Sequence, residues 1–496
     1  MEHDSNQAMA PMIKNLEIWG LRLAGMLMVL TIIAALILRL YKIDSIPYGY
    51  HVDEMCSSVT IQCLATEGVD AHSHPYPIFG QTNYGTPKPA TYMYPGVLWG
   101  KLFGFAVPSL RSFSVWANFL GVLGLFFLGR LLLGTTFGLW AAFLGAISPW
   151  VWVMSRVAFE SLFAPTFFIW GLYFFFRRQT YTHWVIAAFL FAVSMYFYPP
   201  MRLQVPLMLM TLWLYSLKKY KTSYSLWAVF IICLILPLIP LVLKTLSGEI
   251  QQRFNDIAIW SPGYLKAIGK TNSLKDLLGI FLTNYKLHLT PNFLLFKGDP
   301  SLIHSTGHFG ILSWLDMAAL VMCVGWALLF WTKPLKRHNP WFEHMGFLLF
   351  LIVNIFLGIV PSAVTNSEIP NTLRVVGSWP FMCLLSAYFL YRLQRLCWPL
   401  GLVAITLGLL FLTSFTKVYF GVYQQESKGM FDYWSKDQAD SAKTEEDWTK
   451  FMVWHYDRDY HFRYFLMQER ADTCSSSLLK WQKQRKILDT LHYYPH

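Results

Sequence analysis

The run WGLRLAGMLMVLTIIAALILRL, Trp19 to Leu40, decides the class of fold. Its only charges are Arg22 and Arg39, and a stretch of about 18 or more apolar residues is what a helix needs to cross a bilayer core. It is too long for the core of a signal peptide, so it reads as an uncleaved first span. Further apolar runs follow at about 112–132, 136–154, 161–177, 183–199, 203–217, 225–246, 310–331, 342–361, 374–391 and 397–416. The reading is an all-α polytopic membrane protein of about eleven transmembrane helices.

Composition agrees. Of 496 residues, 55% are hydrophobic, 17% aromatic and 14% charged, where a soluble chain carries roughly 25% charged residues. Mean hydropathy is +0.39. A soluble enzyme, a disordered chain and a disulfide scaffold are excluded. The net charge of +12 does not point to nucleic acid, because the cations form small clusters beside apolar runs. These are Arg177 and Arg178; Lys218, Lys219 and Lys221; Lys333, Lys336 and Arg337; Arg392 and Arg395. Short loops rich in Lys and Arg stay cytoplasmic. With the amino terminus inside, every cluster, and Arg130, falls on the cytoplasmic side and the carboxyl terminus lies outside. Arg39 and Lys42 break the rule and read as interface anchors.

The outer face then receives a first loop (41–111), a second large loop (247–309) and a tail (417–496) beyond a membrane core of residues 1–416. Within the first loop, Tyr92 to Phe105 is amphipathic and suits the membrane surface. The tail, with Asp432, Glu445, Glu446, Asp447, Trp448 and Trp454, reads as a small folded extracytoplasmic domain. The seven cysteines are scattered. Cys233, Cys323 and Cys383 lie in apolar runs as small hydrophobes, and Cys56 and Cys63 would sit about 10 Å apart along a helix. Cysteine chemistry is expected to play no part.

Acids are scarce, so those near the outer face stand out. In His51-Val52-Asp53-Glu54, adjacent carboxylates point in different directions, one suited to general-base work and its neighbour to orienting a substrate or cation. The competing reading is a helix start favoured by the macrodipole. Glu160 enters the outer interface from another span, four residues after Arg156, a spacing that also suits an intrahelical ion pair. Outer-side cations complete the set: Lys88, Arg111, Arg202, His304 and Arg374. Snorkelling to lipid phosphate explains each singly; several converging would bind an anionic head group, since guanidinium takes phosphate bidentately. His72-Ser73-His74 lacks a third ligand for a metal, Asp316 suits helix packing, and Pro237 and Pro240 suit a helix kink.

In order along the chain, these residues resemble the membrane-embedded glycosyltransferases that use lipid-phosphate sugar donors. This is the GT-C superfamily, in its protein-O-mannosyltransferase and aminoarabinose-transferase branch. The resemblance covers most of residues 20–415. It rests on His51-Val52-Asp53-Glu54, Gly68-Val69-Asp70 and Pro87-Lys88-Pro89-Ala90-Thr91-Tyr92, then Arg111, and Ser148-Pro149 leading to Arg156 and Glu160. Tyr196-Phe197-Tyr198 with Arg202, Gly298-Asp299-Pro300 with His304-Ser305 before Gly310, and Pro361 through Arg374 follow.

The resemblance implies an inverting transfer of a sugar from a polyprenyl-phosphate donor to an acceptor hydroxyl at the outer face of a plasma (inner) membrane. Asp53 would be the base; Glu54 and Glu160 would orient acceptor or sugar. Lys88, Arg111, Arg156, Arg202, His304 and Arg374 would bind substrate, most of them at the leaving phosphate. Pro87 stands where the aminoarabinose branch has a glutamate that helps hold a metal, so a divalent cation has no clear ligand set here. The acceptor, whether protein, glycolipid or polysaccharide, is open. A lipid-linked sugar transporter and a non-catalytic membrane assembly protein are the rival readings. A transporter would place charge or broken helices near the midplane, whereas the acids here gather at one face.

Overall fold

The computed structural model describes residues 2–81, 87–219, 224–332 and 344–431, and scattered residues between 437 and 482. The chain opens with α1 (Glu2–Leu40) and α2 (Val52–Thr66), followed by a small antiparallel hairpin, β1 (Phe79–Gln81) and β2 (Pro87–Pro89). A surface helix, α3 (Met93–Phe103), leads to α4 (Val107–Leu133), α5 (Thr135–Ile147) and α6 (Pro149–Ser155). Next come α7 (Phe163–Arg177), α8 (Tyr181–Phe197), α9 (Met201–Lys219) and α10 (Tyr224–Leu246). The second large loop carries α11 (Gln252–Ile257), α12 (Pro262–Ala267) and α13 (Leu274–Leu287). The remaining helices are α14 (Trp314–Thr332), α15 (Met345–Leu357), α16 (Val360–Ala363), α17 (Trp379–Leu396), α18 (Trp398–Phe420) and α19 (Val422–Glu426).

Each apolar run expected to span coincides with a helix, but the count of eleven is not reached on length and composition. Among the described residues, five helices suffice to cross a membrane alone: Asn15–Leu40, Val107–Leu133, Tyr224–Leu246, Met345–Ala363 and Trp398–Glu426. The pair α5–α6, bent by 56°, makes a sixth if taken as one span. The bend sits at Ser148, whose ψ of 121° is extended, as expected of a residue that precedes a proline. Two apolar stretches of helix, Tyr181–Phe197 and Trp314–Leu328, are shorter; α8, with 17 residues, rises about 26 Å at 1.5 Å per residue, less than the roughly 30 Å hydrocarbon core.

One continuous apolar core runs through α1, α4, α5, α7, α8, α17 and α18. Helices approach most closely where glycine permits it: a Cβ at Gly138 on α5 would lie 2.5 Å from the carbonyl oxygen of Phe126 on α4. The amphipathic stretch of the first loop forms α3, which leaves Leu98, Leu102 and Phe103 exposed. Lys42 is exposed beside the ring of Tyr41. Arg39 is not an interface anchor; it is only 3% exposed and its Nη1 donates to the Ala146 carbonyl at 2.7 Å.

The tail is joined to the first loop. Cys63 on α2 and Cys474 form a disulfide across 411 residues, which overturns the expectation that cysteine chemistry has no part. Around it Met55, Val59 and Val107 pack with Tyr464, Leu466 and Met467, and Tyr464 Oη accepts the Val107 N–H at 3.1 Å. Most of the expected tail domain, including Asp432, Glu445, Glu446, Trp448 and Trp454, lies outside the described residues. So do Lys221, Lys333, Lys336 and Arg337, and the side chains of Lys218 and Lys219.

Candidate active site

The site is organised by the first turn of α2. His51 caps it: its Nδ1 accepts the Asp53 N–H at 3.2 Å, while Glu54 Oε2 accepts the His51 N–H at 2.9 Å. This reciprocal pair satisfies two donors that a helix start otherwise leaves open. It also turns Glu54 inward. Its Oε1 accepts from Arg111 Nε and from the Ala158 N–H, both at 2.8 Å, and its Oε2 accepts from Arg111 Nη2 at 2.8 Å. Both side chains are fully buried.

Arg111 was expected to face a phosphate, and it does not. Besides Glu54, it donates from Nη1 to the Pro47 carbonyl and from Nη2 to the Gly49 carbonyl, each at 2.8 Å. Arg156 behaves likewise. Its Nε donates to Tyr419 Oη at 3.0 Å, and its Nη atoms donate to the carbonyls of Leu38, Arg39, Lys42 and Ile46. Leu38 and Arg39 are among the last carbonyls of α1, which a helix C-terminus leaves without partners, and Lys42 and Ile46 belong to the turn after it. Neither guanidinium has a donor left for a ligand, and Glu54 has no oxygen facing out. The ion pair of Arg156 with Glu160 on one helix is also not formed, because α6 ends at Ser155 and Glu160 opens a separate 3-10 turn, Glu160–Leu162.

Asp53, one residue earlier on the same turn, projects about 100° away from Glu54. Its side chain is 36% exposed, with Oδ2 3.7 Å from His51 Nδ1. The bond from Ala158 N–H to Glu54 draws residues 157–160 onto α2, and the His51 ring packs edge-on against Phe159 at 5.3 Å. Asp53 and Glu160, 107 residues apart in sequence, thus flank the same His51–Phe159 contact.

The outer cations divide three ways. Arg202 donates only from Nε, to the Met195 carbonyl at 3.4 Å, so its two terminal amines have no acceptor among the described residues. Arg374 is 13% exposed and holds a turn, with Nη1 donating to Thr365 Oγ1 at 2.8 Å and to the Ser367 carbonyl, and Nη2 3.8 Å from Glu368. For Lys88 the strand is described and the side chain is not: its backbone pairs with Gly80, and the adjacent Phe79 ring stacks on Tyr196 at 6.3 Å. Tyr196 in turn lies within electrostatic reach of Arg202.

His304 is supported by a residue the sequence reading passed over as a site residue. Its Nδ1 is 3.3 Å from Asp299 Oδ2. Asp299 is itself fixed by the Thr372 N–H at 2.6 Å and the Ser301 N–H at 2.9 Å. Ile303 packs with Val157 and Phe159, which brings the His304 loop against the Glu160 loop. Tyr198 also went unassigned, yet it lies within electrostatic reach of Arg374, Glu160, Glu368 and Asp299 together. A third such residue is His288, which anchors the Arg374 segment. Its Nε2 accepts the Asn371 N–H at 3.1 Å and meets Ser362 Oγ at 2.8 Å, and Nδ1 meets the Asn284 carbonyl at 2.8 Å. Burial lowers its pKa to about 4. The Pro361–Arg374 segment was the one signal that pointed here; the histidine itself carried none.

The remaining candidates have structural partners. His74 Nδ1 is 3.1 Å from the buried Asp70 carboxylate, and Asp316 caps α14 by accepting from Ser313 N–H and Oγ and from Ser386 Oγ. Among the described residues no three His, Cys, Asp or Glu side chains gather as a metal site.

No protein-family model matches the chain, and no curated protein matches its sequence. Solved structures do. The Archaeoglobus fulgidus oligosaccharyltransferase in complex with zinc and sulfate superposes with a TM-score of 0.50 and 16% identity, over 86% of this chain and 56% of that one. The same enzyme with an inhibitory peptide and a dolichol-phosphate gives 0.49 and 14%, over 88% and 59%. ArnT from Cupriavidus metallidurans bound to undecaprenyl phosphate gives 0.43 and 14%, over 92% of this chain and 75% of that one. The chain therefore spans less than two thirds of the archaeal enzyme. At this identity the likeness is one of architecture alone: the chain shares the polytopic α-helical fold of the archaeal oligosaccharyltransferase.

Proposed function

We propose that this protein is a membrane glycosyltransferase that moves a sugar from a polyprenyl-phosphate donor to an acceptor hydroxyl, with inversion at the anomeric carbon. The observation that carries the reading is the splitting of the Asp53-Glu54 pair. Glu54 is locked to Arg111 and Ala158, while Asp53 is left half-exposed beside the Glu160 loop. The GT-C fold supports the reaction class.

Asp53 takes the acceptor's hydroxyl proton as the oxygen attacks the anomeric carbon. The carbon–oxygen bond to phosphate breaks on the opposite side, and the phosphate leaves with the electron pair. Arg202, with its open amines, is the first candidate to receive that charge, and Lys88, His304 and Arg374 are the further candidates. Proton abstraction of this kind contributes typically 10²–10⁴-fold, and fixed cations at the developing charge add more. Glu160 orients the acceptor or the sugar. The Cys63–Cys474 disulfide supports an extracytoplasmic placement of the first loop and tail, since such bonds persist on the oxidising side. The acceptor is a protein, a glycolipid or a polysaccharide.

The test is release of polyprenyl phosphate by purified protein from a panel of polyprenyl-phosphate sugars, for wild type and Asp53→Asn. Turnover that collapses in the variant while donor binding persists supports the reading. Turnover that survives moves the base to Glu160. Absence of turnover with every donor and acceptor offered, with donor still bound, would favour a protein that moves lipid-linked sugar without reacting it.

A further inference from the structure

The second large loop carries a helix whose apolar side is left uncovered by the described residues. On α13, Leu274, Leu278 and Leu282 are 82%, 51% and 46% exposed. At 3.6 residues per turn their four-residue spacing sets them in one strip. Lys275 and Lys286, both exposed, run along one flank of that strip, and Asp276 and Thr283 lie on the far side of the helix. Exposed apolar residues scattered singly need no explanation, whereas a contiguous strip marks a contact surface.

The other end of the helix fixes where the strip is aimed. Asn284 Nδ2 donates to the carbonyls of Ala363 and Thr365 at 3.2 and 2.8 Å, where the Met345–Ala363 span ends. The next residue reaches deeper: Tyr285 Oη donates to the Phe356 carbonyl at 2.9 Å, about two turns back along that span. Leu278 and Leu274 precede Tyr285 by seven and eleven residues, close to two and three whole turns, so they share its direction. Helix α13 therefore leaves the bundle with its leucines turned toward the depth of the span and past its edge. That edge is itself apolar and open. Leu349 and Phe356, seven apart on α15, are exposed on a helix apolar enough to cross a membrane. The strip on α13 continues this lipid-facing surface.

We infer that α13 lies in the membrane surface at this end of the bundle as an interfacial helix. Leu274, Leu278 and Leu282 enter the acyl chains, and Lys275 and Lys286 extend back to the head groups. Amphipathic helices seat themselves in this way, with the apolar face about 5–10 Å into the boundary of head groups and chains and lysine stems lying along it. A second copy of the chain could also cover leucines; continuity with the exposed face of a span favours lipid. The inference is independent of the transfer reaction.

The test uses the full-length protein in phosphatidylcholine nanodiscs, with the photo-crosslinking amino acid benzoylphenylalanine in place of Leu278 and, in a second protein, in place of Thr283. Both positions are exposed, so each protein should melt like wild type. After illumination, mass spectrometry should find a phospholipid joined at position 278 in several times the yield found at 283. A link from 278 to a second chain, a link to another peptide of the same chain, or equal lipid yields at the two positions, none included, would overturn the proposal. A second measurement needs no label. Leu274→Ser, Leu278→Ser and Leu282→Ser combined should leave the melting temperature in place while hydrogen exchange of the α13 amides quickens by about tenfold or more, because the apolar area that holds the helix to lipid is gone. Unchanged exchange in the triple variant would equally overturn it.

Discussion

Around Glu54 each donor and acceptor is matched inside the protein; around Asp53, one residue earlier on the same turn, they are not. Glu54 receives four hydrogen bonds, two of them from a fully buried arginine. Asp53 stands 36% exposed. The cations divide in the same way: Arg111 and Arg156 serve backbone carbonyls, while Arg202 keeps its terminal amines open. A charge near a membrane interface is therefore no guide to chemistry by itself. Burial and the accounting of donors separate the groups that hold the loop from those able to meet a substrate.

The contrast is broken most sharply by exchanging the two acids. Glu54→Gln should destabilise the protein by about 3–5 kcal/mol, because it strands a buried Arg111 charge; the readout is thermal unfolding in detergent. Asp53→Asn should leave the melting curve in place while turnover falls about 10²–10⁴-fold. A stable Glu54→Gln, or an unstable Asp53→Asn, would reverse the roles assigned here.

A smaller effect sharpens the second region. Below about pH 6.5 an unfolded chain takes up a proton at His288, and the folded chain refuses it until about pH 4, because Nε2 accepts the Asn371 N–H in a buried setting. The unfolded state then binds more protons, so stability falls as pH drops through that window, by about 3 kcal/mol at its lower end. Melting curves from pH 7 to pH 4 should show this slope in wild type and a flatter one in His288→Gln. An unchanged slope would remove His288 as the anchor of the Arg374 segment.

The smallest expected effect concerns the tail. Cys63→Ser should cost about 2 kcal/mol, the low end for a disulfide, since the Tyr464 and Met467 contacts with α2 remain. A reducing agent should lower the wild-type melting temperature by the same amount and leave the variant unmoved. If Asp53-dependent turnover fell as well, the tail would be holding the first turn of α2 in place.

Local pattern determined a good deal. Hydropathy is summed along the chain, so the Trp19–Leu40 run and its successors placed the helices. The adjacency of Asp53 and Glu54 on a helix was enough to send their side chains different ways. Lys, Arg and acid spacing also marked the end of the bundle where the candidates gather, and their order along the chain carries the resemblance to the GT-C pattern.

Tertiary structure alone decided which of those charges are free. Whether Arg111 meets Glu54 or a ligand depends on the carbonyls of Pro47 and Gly49, and Arg156 on those at the end of α1. Main-chain acceptors leave no mark in composition or spacing. Cys63 finds Cys474 across 411 residues, and Asp299 finds Thr372 through a loop contact. Arg39, which looked like an anchor at a span end, is buried because α4, α5 and α6 close around it. A charge and its position are properties of the sequence; the partner that satisfies that charge belongs to the packing of distant segments.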